Sequence, residues 1–260
     1  GGTLSALAGR MPAAQGGARP GSSSLFMLRI AVVLLLLLTI SPLHAEPPRS
    51  FREAKKIAWA LYAERPVDFY CGCRFEGNRI DLASCGYEPR KQPKRAERVE
   101  WEHVVPAWVI GHQRQCWKEG GRKACERSDP VFRKAEADLH NLVPVVGEVN
   151  GDRSNYGFGM LPQKPHQYGA CPFVVDFRQR TAMPPEHTRG AIARIYLYMS
   201  QRYGLRLSKQ DRRLYDAWSR QYPVSEWEIW RNRRIACVQG HANSFVGEVD
   251  LASCNPLATR

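Results

Sequence analysis

The reactive side chains of this sequence gather in two short stretches. The first is Glu100-Trp101-Glu102-His103-Val104-Val105-Pro106, where a carboxylate stands beside an imidazole. A carboxylate is a hard-metal ligand, and an imidazole with a reference pKa near neutrality is a proton acceptor. The second is Asp138-Leu139-His140-Asn141-Leu142-Val143-Pro144, followed by Gly147-Glu148-Val149-Asn150-Gly151-Asp152-Arg153-Ser154-Asn155. Asp, Asn and Gly are turn formers, which accounts for 150–155 but not for His140-Asn141. Between them the two stretches hold a base and a surplus of oxygen and nitrogen donors for a metal.

These side chains need elements to carry them. Arg98 to Val104 reads as a strand ended by Pro106, and Leu139 to Val146 as a second strand that Pro144 confines to an edge or bulge. Successive strand residues point to opposite faces, so Glu102 and His103 diverge unless the strand bends or ends there. Residues 147–155 open a short helix. Upstream, 50–64 is predicted helical: Ser50 caps, Glu53 sits at the capping-box position, and Phe51, Ala54, Ile57, Ala58 and Leu61 share a stripe. Residues 68–75 read as extended, 86–98 as an exposed basic loop, 111–130 as loop-rich and 131–137 as helical. Helices are predicted over 186–203, ended by Gly204, over 208–220, capped by Ser208 with Leu214, Tyr215 and Trp218 inward, and over 223–236. The fold class that follows is α+β, a single helix-rich domain with few strands.

Three bulk features narrow the setting. Met27-Leu28-Arg29, the apolar run Ile30 to Ile40 and Ser41-Pro42-Leu43-His44-Ala45 have the order of a secretory signal peptide, with an apolar core too short to span a bilayer. Residues 1–26 are expected to be a non-native or disordered leader, 27–45 the signal peptide and 46–260 the working domain. Lys and Arg outnumber Asp and Glu by 38 to 25, and only Arg10, Arg19 and Arg29 of the charged residues precede residue 46. The excess of about ten positive charges in the remainder favours polyanions. The eight cysteines, Cys71, Cys73, Cys85, Cys116, Cys125, Cys171, Cys237 and Cys254, all follow the signal segment. An even number in an exported chain reads as four disulfides; no Cys-x-x-Cys pair suggests zinc. Cys116 with Cys125 and Cys73 with Cys85 are plausible local closures, the rest being open among many pairings.

Strand, loop, strand and helix in this order, with a base on the first strand and metal ligands on strand and helix, resemble the ββα-metal nuclease motif. The strings at 100–108, 111–117 (Gly-His-Gln-Arg-Gln-Cys-Trp), 138–144 and 147–156 are similar to those of bacterial endonuclease I. That family comprises periplasmic and secreted nucleases of Gram-negative bacteria, the Vibrio enzymes among them. The likeness runs from about residue 50 to 246. It implies His103 as catalytic base, Glu102 and Asn150 as metal ligands, and Arg122, in Gly120-Gly121-Arg122-Lys123, as the phosphate clamp. The stretch Gln239 to Phe245 follows the family's closing motif loosely, departing from it at His241 and Ser244.

The chemistry suits the residues. A neutral His103 takes a proton from water in line with the leaving 3′ oxygen, which yields 5′-phosphate products. Hard oxygen donors point to Mg²⁺, with Mn²⁺ as a substitute. Arg122 offers a fork of donors to the phosphate. Arg114, Lys118, Lys123, Arg127 and Arg153 are candidate nucleic-acid contacts. Backbone contacts carry no sequence information, so low specificity is expected, for double- and single-stranded DNA and for RNA. The protein is expected to be a periplasmic or secreted monomer, with no stable membrane association once the signal is removed. The alternative is a secreted basic protein that binds nucleic acid or another polyanion without cutting it.

Overall fold

The computed structural model describes residues 46–254 together with Gly2. The expectations for 1–26 and 27–45 lie outside the described residues.

Helix α1 (Phe51–Tyr62) forms where the apolar stripe predicted it, with Ala54, Ala58, Leu61 and Tyr62 buried. Ser50 Oγ accepts the Glu53 N–H at 3.2 Å, as an N-cap should. The Glu53 carboxylate reaches one residue further back than a capping box requires, to the Arg49 N–H at 2.9 Å. After α1 the chain does not run extended: Asp68 accepts the N–H groups of Tyr70, Cys71 and Cys73 and folds 69–71 into a turn. Strands β1 (Arg74–Glu76) and β2 (Arg79–Asp81) then form a hairpin around Gly77, whose φ of 52° suits a glycine.

The stretch 86–98 is tethered rather than loose. Glu148 is fully buried and its two carboxylate oxygens accept the N–H groups of Arg90, Lys91 and Gln92 and the Tyr87 hydroxyl. A short helix, α2 (Pro93–Ala96), follows.

Strands β3 (Val99–His103) and β4 (Leu142–Val146) pair antiparallel, with Glu102 opposite Val143 and His103 opposite Leu142. With two strands only, both are edges, and Pro144 is accommodated opposite Trp101 while its carbonyl accepts the Phe69 N–H. Between the strands the chain is mostly helical, not loop-rich: α3 (Ala107–Gly111), α4 (Gln115–Ser128) and α5 (Pro130–Ala137). The Gly120-Gly121 step, with Gly121 at φ 63°, breaks α4 in two. Helix α6 (Gly147–Arg153) packs on β3 and β4, and α1 packs on β4 and α5.

A small sheet of β5 (Gly157–Phe158), β7 (Thr181–Met183) and β6 (Val174–Asp176) precedes helices α7 (Glu186–Tyr203), α8 (Lys209–Gln221) and α9 (Glu226–Gln239). Gly204 ends α7 at φ 65°, Ser208 caps α8, and Ser225 with Glu228 forms a capping box on α9. Glu228 also pairs with the buried Arg194, at 2.6 Å, tying α9 to α7. The four disulfides are Cys71–Cys171, Cys73–Cys85, Cys116–Cys125 and Cys237–Cys254, including both local closures expected from spacing. The fold is the expected α+β, helix-rich single domain.

Candidate active site

Strand β3 does not bend at its end, so its side chains alternate to the last residue. Trp101 and His103 face α1 and α5; Glu100 and Glu102 face α6. Trp101 anchors the first face, packed edge-on against Trp59 at 4.9 Å and against Tyr62 at 5.6 Å.

His103 is almost buried, at 8% exposure. Its Nε2 lies 2.7 Å from the main-chain carbonyl of Glu136, in α5. A carbonyl only accepts, so Nε2 carries the proton and Nδ1 is left with a lone pair. Burial pushes the His103 pKa down to about 3, and the positive charges of Arg122, Arg153 and Lys55 add to the fall. The imidazole is therefore neutral, with one nitrogen fixed and the other free to take a proton.

Arg122 stands beside it. Its Nε donates to Glu136 Oε1 at 2.5 Å and lies 3.4 Å from Glu126, one turn along α4, while 41% of the side chain stays exposed. Glu136 thus serves both groups, its carbonyl holding the base and its carboxylate the guanidinium. The glycine step delivers Arg122 to this place, because an unbroken α4 would carry it around a regular helix.

The other face of the hairpin holds Glu102 and Asn150. Glu102 is 3% exposed, and its Oε1 receives the Tyr70 hydroxyl at 3.1 Å and faces the Arg153 guanidinium at 2.9 Å. Burial lifts its carboxyl to about 7 in spite of Arg153. Asn150 Nδ2 donates to Glu100 Oε2 at 2.8 Å, and Arg95 and Arg98 hold the same carboxylate. Glu100 and Glu102, two residues apart on β3, therefore meet Asn150 and Arg153, one turn apart on α6.

Two oxygens here accept no hydrogen bond among the described residues: Glu102 Oε2 and Asn150 Oδ1. One carboxylate and one amide oxygen suit a hard divalent cation, with further positions left to water and phosphate. This donor set fits the expected ligand pair. It falls short of an all-protein cage, since no group of three or more His, Cys, Asp or Glu side chains gathers among the described residues.

The basic candidates divide. Lys118, Lys123 and Arg127 are exposed on α4. Arg114 is half-buried and donates to Asp129 at 2.9 Å. Arg153 is a correction to the sequence reading: it is fully buried and cannot touch nucleic acid. Its guanidinium donates to the carbonyls of His103 and Val104 at 3.0 and 2.7 Å and reaches the Tyr196 hydroxyl at 3.3 Å. In the string Gly-Asp-Arg-Ser-Asn an arginine looks solvated; its place is set by distant partners, Glu102 and the carbonyls at the end of β3 among them. Sequence reasoning also passed over Glu100, Glu136 and Phe51. Glu100 was legible, since strand alternation places it beside Glu102; Glu136 acts on His103 through its main chain and leaves no side-chain signal.

The endonuclease I family model matches residues 47–249. An extracellular deoxyribonuclease of Aeromonas hydrophila is 55% identical over 217 residues, 82% of this chain and 94% of that protein. A periplasmic deoxyribonuclease of the same organism is 54% identical over 82% of this chain and 91% of its own. An endonuclease-1 of Buchnera aphidicola is 45% identical over 76% of this chain and 80% of its own. These relatives and the four disulfides agree with a periplasmic or secreted protein. The family model spans most of the chain and the relatives are 45–55% identical over at least three quarters of it: the chain belongs to the endonuclease I family.

Proposed function

We propose that this chain hydrolyses phosphodiester bonds within DNA, and within RNA, without regard to sequence, leaving 5′-phosphate ends. The observation that carries the reading is the His103 ring, whose Nε2–H is fixed on the Glu136 carbonyl at 2.7 Å beside the half-exposed Arg122. Nδ1 accepts a proton from water lined up opposite the leaving 3′ oxygen. Arg122 donates to the non-bridging phosphate oxygens and lowers the cost of charge gathering there. The negative charge of a bound phosphodiester also opposes the cations that hold the His103 pKa down, making the imidazole a better base once substrate is in place.

Glu102 and Asn150 would hold a divalent ion, Mg²⁺ with Mn²⁺ as substitute, which would supply positive charge to offset that of the phosphodiester. Lys118, Lys123 and Arg127 meet the polyanion backbone, which gives affinity without base reading and a steep loss of binding as salt rises. DNA as substrate draws support from relatives named deoxyribonucleases. The working unit is a monomeric nuclease domain of residues 46–260, preceded by a signal peptide at 27–45 and a leader at 1–26.

The test is digestion of supercoiled plasmid by the wild type and by His103→Ala, each with Mg²⁺ and with chelator. Nicking and linearisation by the wild type with Mg²⁺ only, and a loss of roughly 100-fold or more in His103→Ala, are expected. A mutant as fast as the wild type removes the base; plasmid left intact by both proteins points instead to a polyanion-binding protein.

A further inference from the structure

Three side chains of the candidate site meet on one aromatic ring. The Phe51 centroid lies 4.5 Å from the His103 imidazole, the rings tilted by 43°. The Arg122 guanidinium lies 5.2 Å from the same centroid and the Lys55 ammonium 4.8 Å. The four residues come from three elements: Phe51 and Lys55 from α1, His103 from β3 and Arg122 from α4.

Hydrogen bonds alone leave this arrangement under-determined. One bond from Nε2 to the Glu136 carbonyl fixes a point on the imidazole but not its plane, which the packing around the ring must set. A second surface against the ring supplies that packing. Likewise the Glu136 carboxylate holds one edge of the Arg122 guanidinium, and the face of an aromatic ring, negative by its quadrupole, steadies the cation from another side. Phe51 supplies both surfaces.

Phe51 packs against the margin of the core without entering it. The ring is half-buried, whereas the residues of α1 that enter the core, Ala54, Ala58, Leu61 and Tyr62, are 0–1% exposed. Its place is set locally: it is the first residue of α1, directly after the Ser50 cap, so the cap that starts the helix also fixes where the ring stands. Lys55, one turn on, has no carboxylate within ion-pair distance among the described residues and adds a positive charge to the same wall.

We infer that Phe51 is a positioning residue of the reaction, holding the His103 imidazole and the Arg122 guanidinium in their working orientations without touching the reacting atoms. The inference rests on the roles of His103 and Arg122 proposed above.

Steady-state kinetics on a short DNA duplex with Mg²⁺ test it, with Phe51→Ala, Phe51→Leu and Phe51→Tyr compared with His103→Ala and thermal unfolding recorded for each. Phe51→Ala is expected to lower kcat by roughly 10- to 100-fold, with KM moving less than kcat. Phe51→Leu keeps apolar volume but not the ring face and falls nearly as far; Phe51→Tyr restores the ring and returns to within about threefold of wild type. Should Phe51→Ala fail to fold, the Leu and Tyr variants decide. Phe51→Leu at the wild-type rate overturns the inference, because apolar volume alone then suffices. So does a loss of rate that follows unfolding temperature across the series. An inactive His103→Ala beside fully active Phe51 variants overturns this inference only. An active His103→Ala overturns the reading of the site, and this inference with it.

Discussion

The guanidinium of Arg153 lies 2.9 Å from Glu102 Oε1, and neither side chain is more than 4% exposed. The same arginine donates to the carbonyls of His103 and Val104, so it fastens the carboxylate and the main chain at the end of β3 in one grip. Removing it takes the donor from the His103 and Val104 carbonyls and leaves the Glu102 carboxyl, already lifted to about 7 by burial, without its cation. Arg153→Met is expected to cost about 3–5 kcal/mol, read by urea unfolding at about pH 8, where ionising Glu102 is most costly. Adding Glu102→Gln in that background removes the carboxyl and recovers the part of the loss that grows with pH. A cost below about 1 kcal/mol for Arg153→Met refutes the account.

Arg122 is expected to be worth roughly 100-fold in kcat/KM, since it carries an exposed fork of donors next to the base. Arg122→Lys keeps the charge but loses the planar fork and the stacking on Phe51, and recovers only a small part of Arg122→Ala. Nuclease assays on the two variants check this. Equal activity for Lys and Arg shows that charge alone is used.

Asn150 is expected to govern metal demand rather than folding. Asn150→Ala removes an Oδ1 that accepts no hydrogen bond and also the Nδ2 bond to Glu100, which Arg95 and Arg98 still hold, so the half-saturating Mg²⁺ concentration is expected to rise by about tenfold or more while activity at high Mg²⁺ partly returns. Activity titrated against MgCl₂ gives the answer. An unchanged Mg²⁺ curve removes Asn150 from the ligand set.

Acid should unfold the protein through its buried histidines. His140 is fully buried, and burial, opposed by the charge of Asp138, pushes its pKa from the usual 6.5 down to about 3. An unfolded chain therefore binds a proton there at pH values where the folded one does not. The His140 contribution is complete above about pH 6.5 and is lost as pH falls toward 3, by up to about 5 kcal/mol for this residue, and His103 acts in the same direction. The buried carboxyls of Glu102 and Asp68, lifted to about 7 and about 6, act in the opposite direction, so the histidine contribution is read as a difference: from pH 7.5 to 4 the wild type should lose more unfolding free energy, measured by urea, than His140→Asn. Identical pH dependence in the two proteins excludes the mechanism.

Much of the frame was legible in the sequence because its signals are local. Ser50 and Ser208 stand at caps, Gly204 ends α7, and the apolar stripe of α1 faces the core as its spacing predicts. Strand β3 was legible through its alternation up to Pro106, and β4 through its apolar run with Pro144 marking an edge. What sequence could not supply lay in distant partners. The 86–98 stretch reads as a free basic loop until Glu148, more than fifty residues on, is seen to hold its backbone. Residues 111–130 read as loop because Gly120-Gly121 and many charges hide two helical segments that share one disulfide. Within the site, His103 and Arg122 converge, whereas Glu102 and Asn150 lie on the opposite side of β3. Strand alternation foretold that split.

The Cys116–Cys125 bridge closes a span of nine residues around Gly120, Gly121 and Arg122. The glycine step that aims the arginine is the most pliant point of α4, and the bridge is the clasp across it. If Arg122 grips the phosphate as proposed, reducing this bridge frees the step that places it, so the reduced protein is expected to cut DNA more slowly than the oxidised one, in a reducing compartment as in the test tube.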